Sequence, residues 1–200
     1  MQRRQFLKAV ASAGAGMLCA PMLNFGRFRL FANSPAEYSA RAIELVGRST
    51  VIDMLSPFKI SSSTWLTNSD TFKQADFQRF KDSSINVFHI AVGLGGPDVH
   101  MSTLKYVASW NSFIANHDQW LMRVDSPDDL NRVKASGKVG VLIGVQNSEH
   151  FRTPADVDLF YSLGQRVSQL TYNTRNLIGN GSTERRDEGI SDLASPLLNA

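Results

Sequence analysis

Cysteine is almost absent: the 200 residues hold one, Cys19. A single thiol closes no internal disulfide, so the chain relies on packing for its stability. Acidic side chains are missing from positions 1–32, which carry only Arg3, Arg4, Lys8, Arg27 and Arg29 as charged groups. Long apolar runs are lacking too. The nearest approach, Ala9 to Leu23, is short and broken by Gly14 and Gly16, which argues against a membrane span. Internal repeats and low-complexity tracts do not occur, and 42% hydrophobic with 20% charged residues excludes a disordered chain. What remains is a globular chain long enough for one good core.

The start of the chain, Met1-Gln2-Arg3-Arg4-Gln5-Phe6-Leu7-Lys8 followed by weakly apolar small residues, resembles a twin-arginine export signal. The expectation is a signal over residues 1–32, handled by the twin-arginine export machinery, and a periplasmic or extracellular remainder over 33–200. An amphipathic or buried first helix is the alternative. Leu18 stands where a lipoprotein signal has a small residue, so Cys19 is read as part of the signal, and no stable membrane anchor is expected. Setting the signal aside moves the formal charge from +3 to −2. The basic balance therefore belongs to the signal, and no nucleic-acid partner follows from it.

Beyond the signal, helical and strand patterns alternate. A helix is expected from Ser34-Pro35 toward Gly47, then a strand in "STVIDML", and a helix over 70–81 with Phe72, Phe77 and Phe80 inward. "INVFHIAVG" reads as a strand and 99–116 as a helix. "SPDDLNRVKASGK" follows as a helix with Ser126 as N-cap and Gly137 as C-cap. "VGVLIGV" shows no polar alternation, the mark of a strand buried on both faces of a parallel sheet. A helix capped by Thr153 with Pro154 first, the strand "RVSQLTY" and a last helical turn from Ser191 complete the order. The class is α/β, with about four parallel strands and flanking helices: half of a (β/α)8 barrel, so either the sheet is open or the chain is incomplete.

In such sheets ligands gather where the strands end. That places the chemistry at 53–57, 93–98, 146–150 and 172–188. The last of these, within "RVSQLTYNTRNLIGNGSTERRDEGIS", is long and polar enough to be read as a pocket wall.

"STVIDMLSPF", "GKVGVLIGVQNSEHF" and "DLFYSLGQRVSQLTYNTRNLIGNGSTERRDEGISDL" resemble, in that order, segments of the membrane (renal) dipeptidase family, zinc peptidases on a (β/α)8 barrel. The likeness runs from about residue 36 to 200, the N-terminal half of a member. It implies an exported dipeptidase-like hydrolase that cleaves a peptide or amide bond with metal-activated water. The implied partner is a small peptide or amino-acid-like substrate, and a homodimer is compatible. The alternative is a non-catalytic relative that binds an amino-acid-like ligand.

Departures from the family pattern accompany the match. Members carry His-x-Asp, both zinc ligands, where this chain has Leu55, Ser56 and Pro57, and a bridging glutamate where it has Gln146. Leu and Pro offer no donor to zinc, and a neutral amide does not bridge two ions as a carboxylate does. Zinc is thus implied by resemblance only, with no metal ligand assigned in this chain and no zinc expected on it alone. Asp53 is the candidate catalytic carboxylate, or else the cap of the next turn. Gln146, Tyr172, Asn173, Arg175 and Asn176 are the candidate substrate-binding residues. Arg175 is suited to a carboxylate in a bidentate fork, or to an internal pair with Glu184, Asp187 or Glu188. His89 reads as a packed core histidine, Glu149 and His150 as neighbours pointing apart, and His100 and His117 as surface residues.

Overall fold

The computed structural model describes residues 27–28, 37–56 and 64–198, and these fall into two units, 1–49 and 50–200. In the first, β1 (Arg27–Phe28) pairs antiparallel with β2 (Tyr38–Ser39), which runs into α1 (Ala40–Arg48). The Ser39 hydroxyl accepts the Ala42 N–H at 3.1 Å and caps α1. The helix expected from Ser34 thus begins at Ala40, because the capping serine is Ser39; Ser34 and Pro35 lie outside the described residues. So does nearly all of the expected export segment. Among the described residues no helix is long and apolar enough to cross a membrane.

The second unit runs β3 (Ile52–Ser56), α2 (Gln74–Asp82), β4 (Val87–Ile90), α3 (Val99–Asn116), β5 (Leu121–Arg123), α4 (Pro127–Ser136), β6 (Val139–Val145), α5 (Pro154–Ser162), β7 (Gln165–Ser168) and α6 (Ala194–Leu198). Every strand pair in it is parallel. The order is β3–β4–β6, and the far side of β6 is shared: β5 pairs with its beginning, Val139–Val141, and β7 with its end, Ile143–Val145. The three-residue β5 was not anticipated. Three residues show no period of either kind, and only the ladder to β6 makes them a strand.

Both faces of the sheet are buried, as the unbroken apolar run of β6 predicted. Phe88, Ile90, Val139, Val141 and Ile143 pack on one side against Phe80 of α2, Trp110 and Phe113 of α3, and Phe160 of α5. This aromatic face holds edge-to-face pairs such as Phe80–Phe88 and Trp110–Phe113, with centroids 5.1 and 5.6 Å apart. On the other side Val87 packs with Val133 of α4 and with Val124, and Ile52 and Leu142 join them. His117, expected at the surface, belongs instead to the aromatic face: it is buried, stacks on Trp120, and its Nδ1 lies 2.8 Å from the Phe113 carbonyl.

Two helices start from the same local device. In Ser126-Pro127-Asp128-Asp129, the Asp129 carboxylate accepts the N–H groups of Asp125 and Ser126 at 3.0 and 2.9 Å. In Thr153-Pro154-Ala155-Asp156, Asp156 accepts those of Arg152 and Thr153 at 2.8 and 2.9 Å. Each carboxylate ties down donors that a helix start leaves free, and each proline sits where its missing N–H costs nothing. Gly137, at φ 71°, ends α4 in the left-handed region. Replacing Asp129 by alanine is expected to cost about 2 kcal/mol, read as a lower urea midpoint at unchanged slope.

Candidate functional site

The carboxyl ends of β3, β4, β6 and β7 lie at one end of the sheet; Gln146 directly follows β6 and Tyr172 comes four residues after β7, whereas Asp53 is the second residue of β3, in register with Phe88 and through it with Val141, well before that end. The side chains they present are decided strand by strand. A bulge interrupts β3 between Asp53 and Ser56. Asp53 is in register with Phe88, which places it on the aromatic face of the sheet, and its Oδ1 accepts the Leu55 N–H at 3.0 Å. Asp53 therefore caps the turn of the bulge that follows it within β3. Leu55 is left 62% exposed at the tip.

The segment 169–190 explains its own polarity. The Asn173 carbonyl accepts the Thr183 N–H at 3.0 Å and the Thr183 hydroxyl, while its side-chain oxygen takes the Ser182 hydroxyl at 3.2 Å. Arg175 donates its N–H to Glu184 at 2.9 Å, and its guanidinium pairs with Glu188 at 2.6 Å. Of the two readings of Arg175, this is the internal one. Asn176 donates to Asn147 and to the Leu170 carbonyl, both at 2.8 Å, and accepts the Ile178 N–H at 2.8 Å. Asn173, Arg175 and Asn176 thus hold the loop's shape by bonding within it and to its base. Gln146 is half-buried and ties two strand ends together through its N–H to the Val92 carbonyl, at 2.9 Å.

Asn147 was not singled out from the sequence, and it joins three loops. Its side-chain oxygen receives Asn176 at 2.8 Å and the Glu149 N–H at 3.2 Å, and its amide nitrogen reaches Glu149 Oε2 at 3.0 Å. The same nitrogen lies 3.5 Å from the Leu94 carbonyl. The signal for it was a second polar residue, after Gln146, behind a strand buried on both faces. Glu149 and His150 do point apart: Glu149 stands beside Gly95, while His150 is fully buried between the Asn147 carbonyl and Gln165, 3.1 Å from each.

Between the loop and the tip of β7 opens a cleft of about 450 Å³, lined by Gln169, Thr171, Tyr172, Glu184, Arg186 and Asp187 among others. Of the expected substrate-binding residues, Tyr172 faces this cleft, and it is 42% exposed. Gln169, Arg186 and Asp187 were missed. A charge run gives no sign of which members turn inward until the loop is folded. The cleft carries both charge signs and hydroxyl and amide groups, which suits a small ligand with several hydrogen-bonding groups.

Against this geometry stand the comparisons with known proteins. The family model described as membrane dipeptidase (Peptidase family M19) matches residues 39–197. The chain belongs to the membrane dipeptidase family. Among solved structures it resembles an amidohydrolase from Pseudomonas aeruginosa, at 26% identity and a TM-score of 0.63, over 78% of this chain and 44% of that one. The probable dipeptidase PvdM from the same organism is similar at 15% identity and a TM-score of 0.63, over 80% and 46%. A metallopeptidase from Rhodobacter sphaeroides, liganded with a phosphinate mimic of the dipeptide L-Ala-D-Ala, is similar at 14% identity and 0.56, over 75% and 55%. The chain spans about half the length of these structures. No curated protein matches it significantly. The α/β class expected from the sequence, a parallel sheet with flanking helices, is what the chain has, and the solved structures it resembles are barrel-type amidohydrolases.

Family membership brings in a metal, so the donors matter. At the tip of β3 stand Met54 and Leu55, exposed and without a zinc donor, and Pro57 lies outside the described residues. Gln146 is neutral, and Glu149 Oε2 is bonded to Asn147. Among the described residues no three His, Cys, Asp or Glu side chains converge. The described strand tips do not fit a two-ion centre.

Proposed function

We propose that this protein is an exported hydrolase that cleaves an amide bond in a small peptide or amino-acid-like substrate held at the carboxyl ends of its strands. The observation that carries the reading is the cleft between β7 and the 172–188 loop, at the end of the sheet where such folds do their chemistry. Family membership supports hydrolysis as the reaction class. Export rests on the Arg3-Arg4 segment, with residues 1–32 as signal, the twin-arginine machinery as partner and the periplasm or exterior as destination. Tyr172, Arg186 and Asp187 supply the cleft's hydrogen-bonding wall, and Asn147, Asn173, Arg175 and Asn176 keep that wall in place. Zinc, where the family would have it, requires ligands beyond those at the described strand tips.

The test is turnover of L-Ala-D-Ala by the purified protein, followed by release of free alanine, with metal content measured on the same sample. Release well above the uncatalysed rate is expected. A second reading is favoured by Leu55 and Gln146 at positions where the family has ligands: a non-catalytic protein that binds an amino-acid-like compound. Thermal stabilisation by the dipeptide without zinc, together with no alanine release, would replace the first reading by the second.

A further inference from the structure

The run Glu184-Arg185-Arg186-Asp187-Glu188 sets acids and bases side by side, so its charges have partners within the run itself. They do not use them. Glu184 Oε1 accepts the Arg175 N–H at 2.9 Å, Asp187 Oδ1 accepts the Gly189 N–H at 2.9 Å, and Glu188 pairs with the Arg175 guanidinium at 2.6 Å. The acids are thus spent on other donors of the loop. Among the described residues the guanidiniums of Arg185 and Arg186 make no ion pair and no hydrogen bond.

Where these two groups stand is set by the folded loop. Beside the cleft lies a second cavity of about 240 Å³, lined by Arg175, Asn180, Glu184, Arg185, Arg186 and Glu188. Asn180, Glu184 and Arg186 line the cleft as well, so the two spaces adjoin and Arg186 stands at their border. Asn180 is half-buried and donates its amide to the Arg186 carbonyl, which fixes the backbone at that border. With Glu188 neutralised by Arg175, the side cavity offers two unpaired cations against the single charge of Glu184. A planar guanidinium fork matches a carboxylate, and two of them on one small cavity select for an anion.

We propose that Arg185 and Arg186 form a subsite for a carboxylate on the side chain of a residue next to the scissile amide, so that the preferred substrate is a small acidic peptide. The inference rests on the hydrolase reading above and names the substrate class. The amide lies in the cleft, and the acidic side chain passes Arg186 into the side cavity. A carboxylate also ends every free peptide, so the test must separate the side-chain group from the terminal one.

On the purified protein, turnover of L-Ala-D-Glu is compared with that of L-Ala-D-Gln, and L-Glu-D-Ala with L-Gln-D-Ala. The members of each pair differ in one charge and little in shape. In at least one pair kcat/KM should be about tenfold higher for the acid, with the difference in KM, and the ratio should fall toward one in about 0.5 M sodium chloride. It should fall in Arg185→Gln and in Arg186→Gln too; being a ratio within one protein, it is not imitated by a general loss of activity. Equal values within both pairs in the unmodified protein would overturn the proposal and leave the hydrolase reading intact. So would a preference for the acid that both variants keep, or a loss on substitution that is the same for Glu and Gln peptides, which would assign the guanidiniums to the terminal carboxylate. If no peptide is turned over, the hydrolase reading falls, and titration calorimetry with L-Ala-D-Glu and L-Ala-D-Gln decides the subsite alone: about tenfold tighter binding of the acid supports it, and equal binding sinks it.

Discussion

Lowering the pH from 7.5 to 4 is expected to remove about 3 kcal/mol of folding stability through His150 alone. Burial pushes this imidazole down from its ordinary 6.5 to about 4; the Asn147 carbonyl and Gln165, which favour the protonated ring, offset only part of that. The sign follows from linkage. Below 6.5 the unfolded chain takes up a proton that the folded chain refuses, so stability is complete above 6.5, falls as the pH drops, and levels off near 4. Asp129 and Asp156 act in a separate window. Burial works to raise both carboxyls, but the backbone N–H groups of Asp125 and Ser126, and of Arg152 and Thr153, outweigh it and hold them below the usual carboxylate value of 3.8. Their contribution is present above that value and is lost only in more acidic solution. Urea denaturation at a series of pH values from 7.5 to 4 reads the effect, and His150→Gln should flatten the curve between 6.5 and 4. An unmodified protein with the same midpoint at 7.5 and 4.5 would show that His150 is not held neutral in the fold.

Gly181→Ala is expected to destabilise the 169–190 segment by about 3 kcal/mol and to abolish ligand binding in the cleft. A Cβ at this position would stand 2.4 Å from the carbonyl carbon and oxygen of Asn173 and 2.5 Å from the Thr174 nitrogen. Those atoms are backbone, so no rotamer change relieves the overlap. The strand-like approach of Gly181–Thr183 to Tyr172–Asn173, held by Ser182 N–H to Tyr172 and Thr183 N–H to Asn173 at 2.8 and 3.0 Å, would have to open. Hydrogen exchange at those two amides should rise sharply in the variant while the β6 amides keep their protection. Equal protection at Ser182 in both proteins would rule the account out.

The elements that were legible before the fold was known are those whose signal is local. Unbroken apolar character over Val139–Val145 identified a strand covered on both sides, and Thr153-Pro154 and Ser126-Pro127 marked helix starts to the residue. β5 was not legible, since a strand of three residues exists only through its neighbour. His117 was misplaced for a related reason: one histidine in a helical stretch looks solvated until Phe72, Phe113 and Trp120 close around it.

The site was legible only as a region. Strand-end logic put Asp53, Gln146 and Tyr172 at one end of the sheet; Gln146 and Tyr172 follow the ends of β6 and β7, but Asp53 is the second residue of β3, level with Val141. It did not tell that pairing with Phe88 sets Asp53 on the aromatic face, ahead of the β3 bulge, or that Arg175 closes on Glu188. Polar residues such as Asn173 and Asn176 have the same bonding capacity toward a ligand as toward a loop, and sequence gives no preference between them.

Taken by itself, the sequence determined the alternation of helices and strands apart from β5, the α/β class and the family, because those follow from periodicity, capping and motifs within a few residues of one another. Tertiary structure alone decided which polar groups are consumed by the protein and which stay unpaired, as with the loop acids bonded to the loop's own donors and the guanidiniums of Arg185 and Arg186 without a partner among the described residues. The physical reason is register: a one-residue shift, or one bulge, turns a side chain to the other face of the sheet, and that shift is set by pairing with strands far away in the chain.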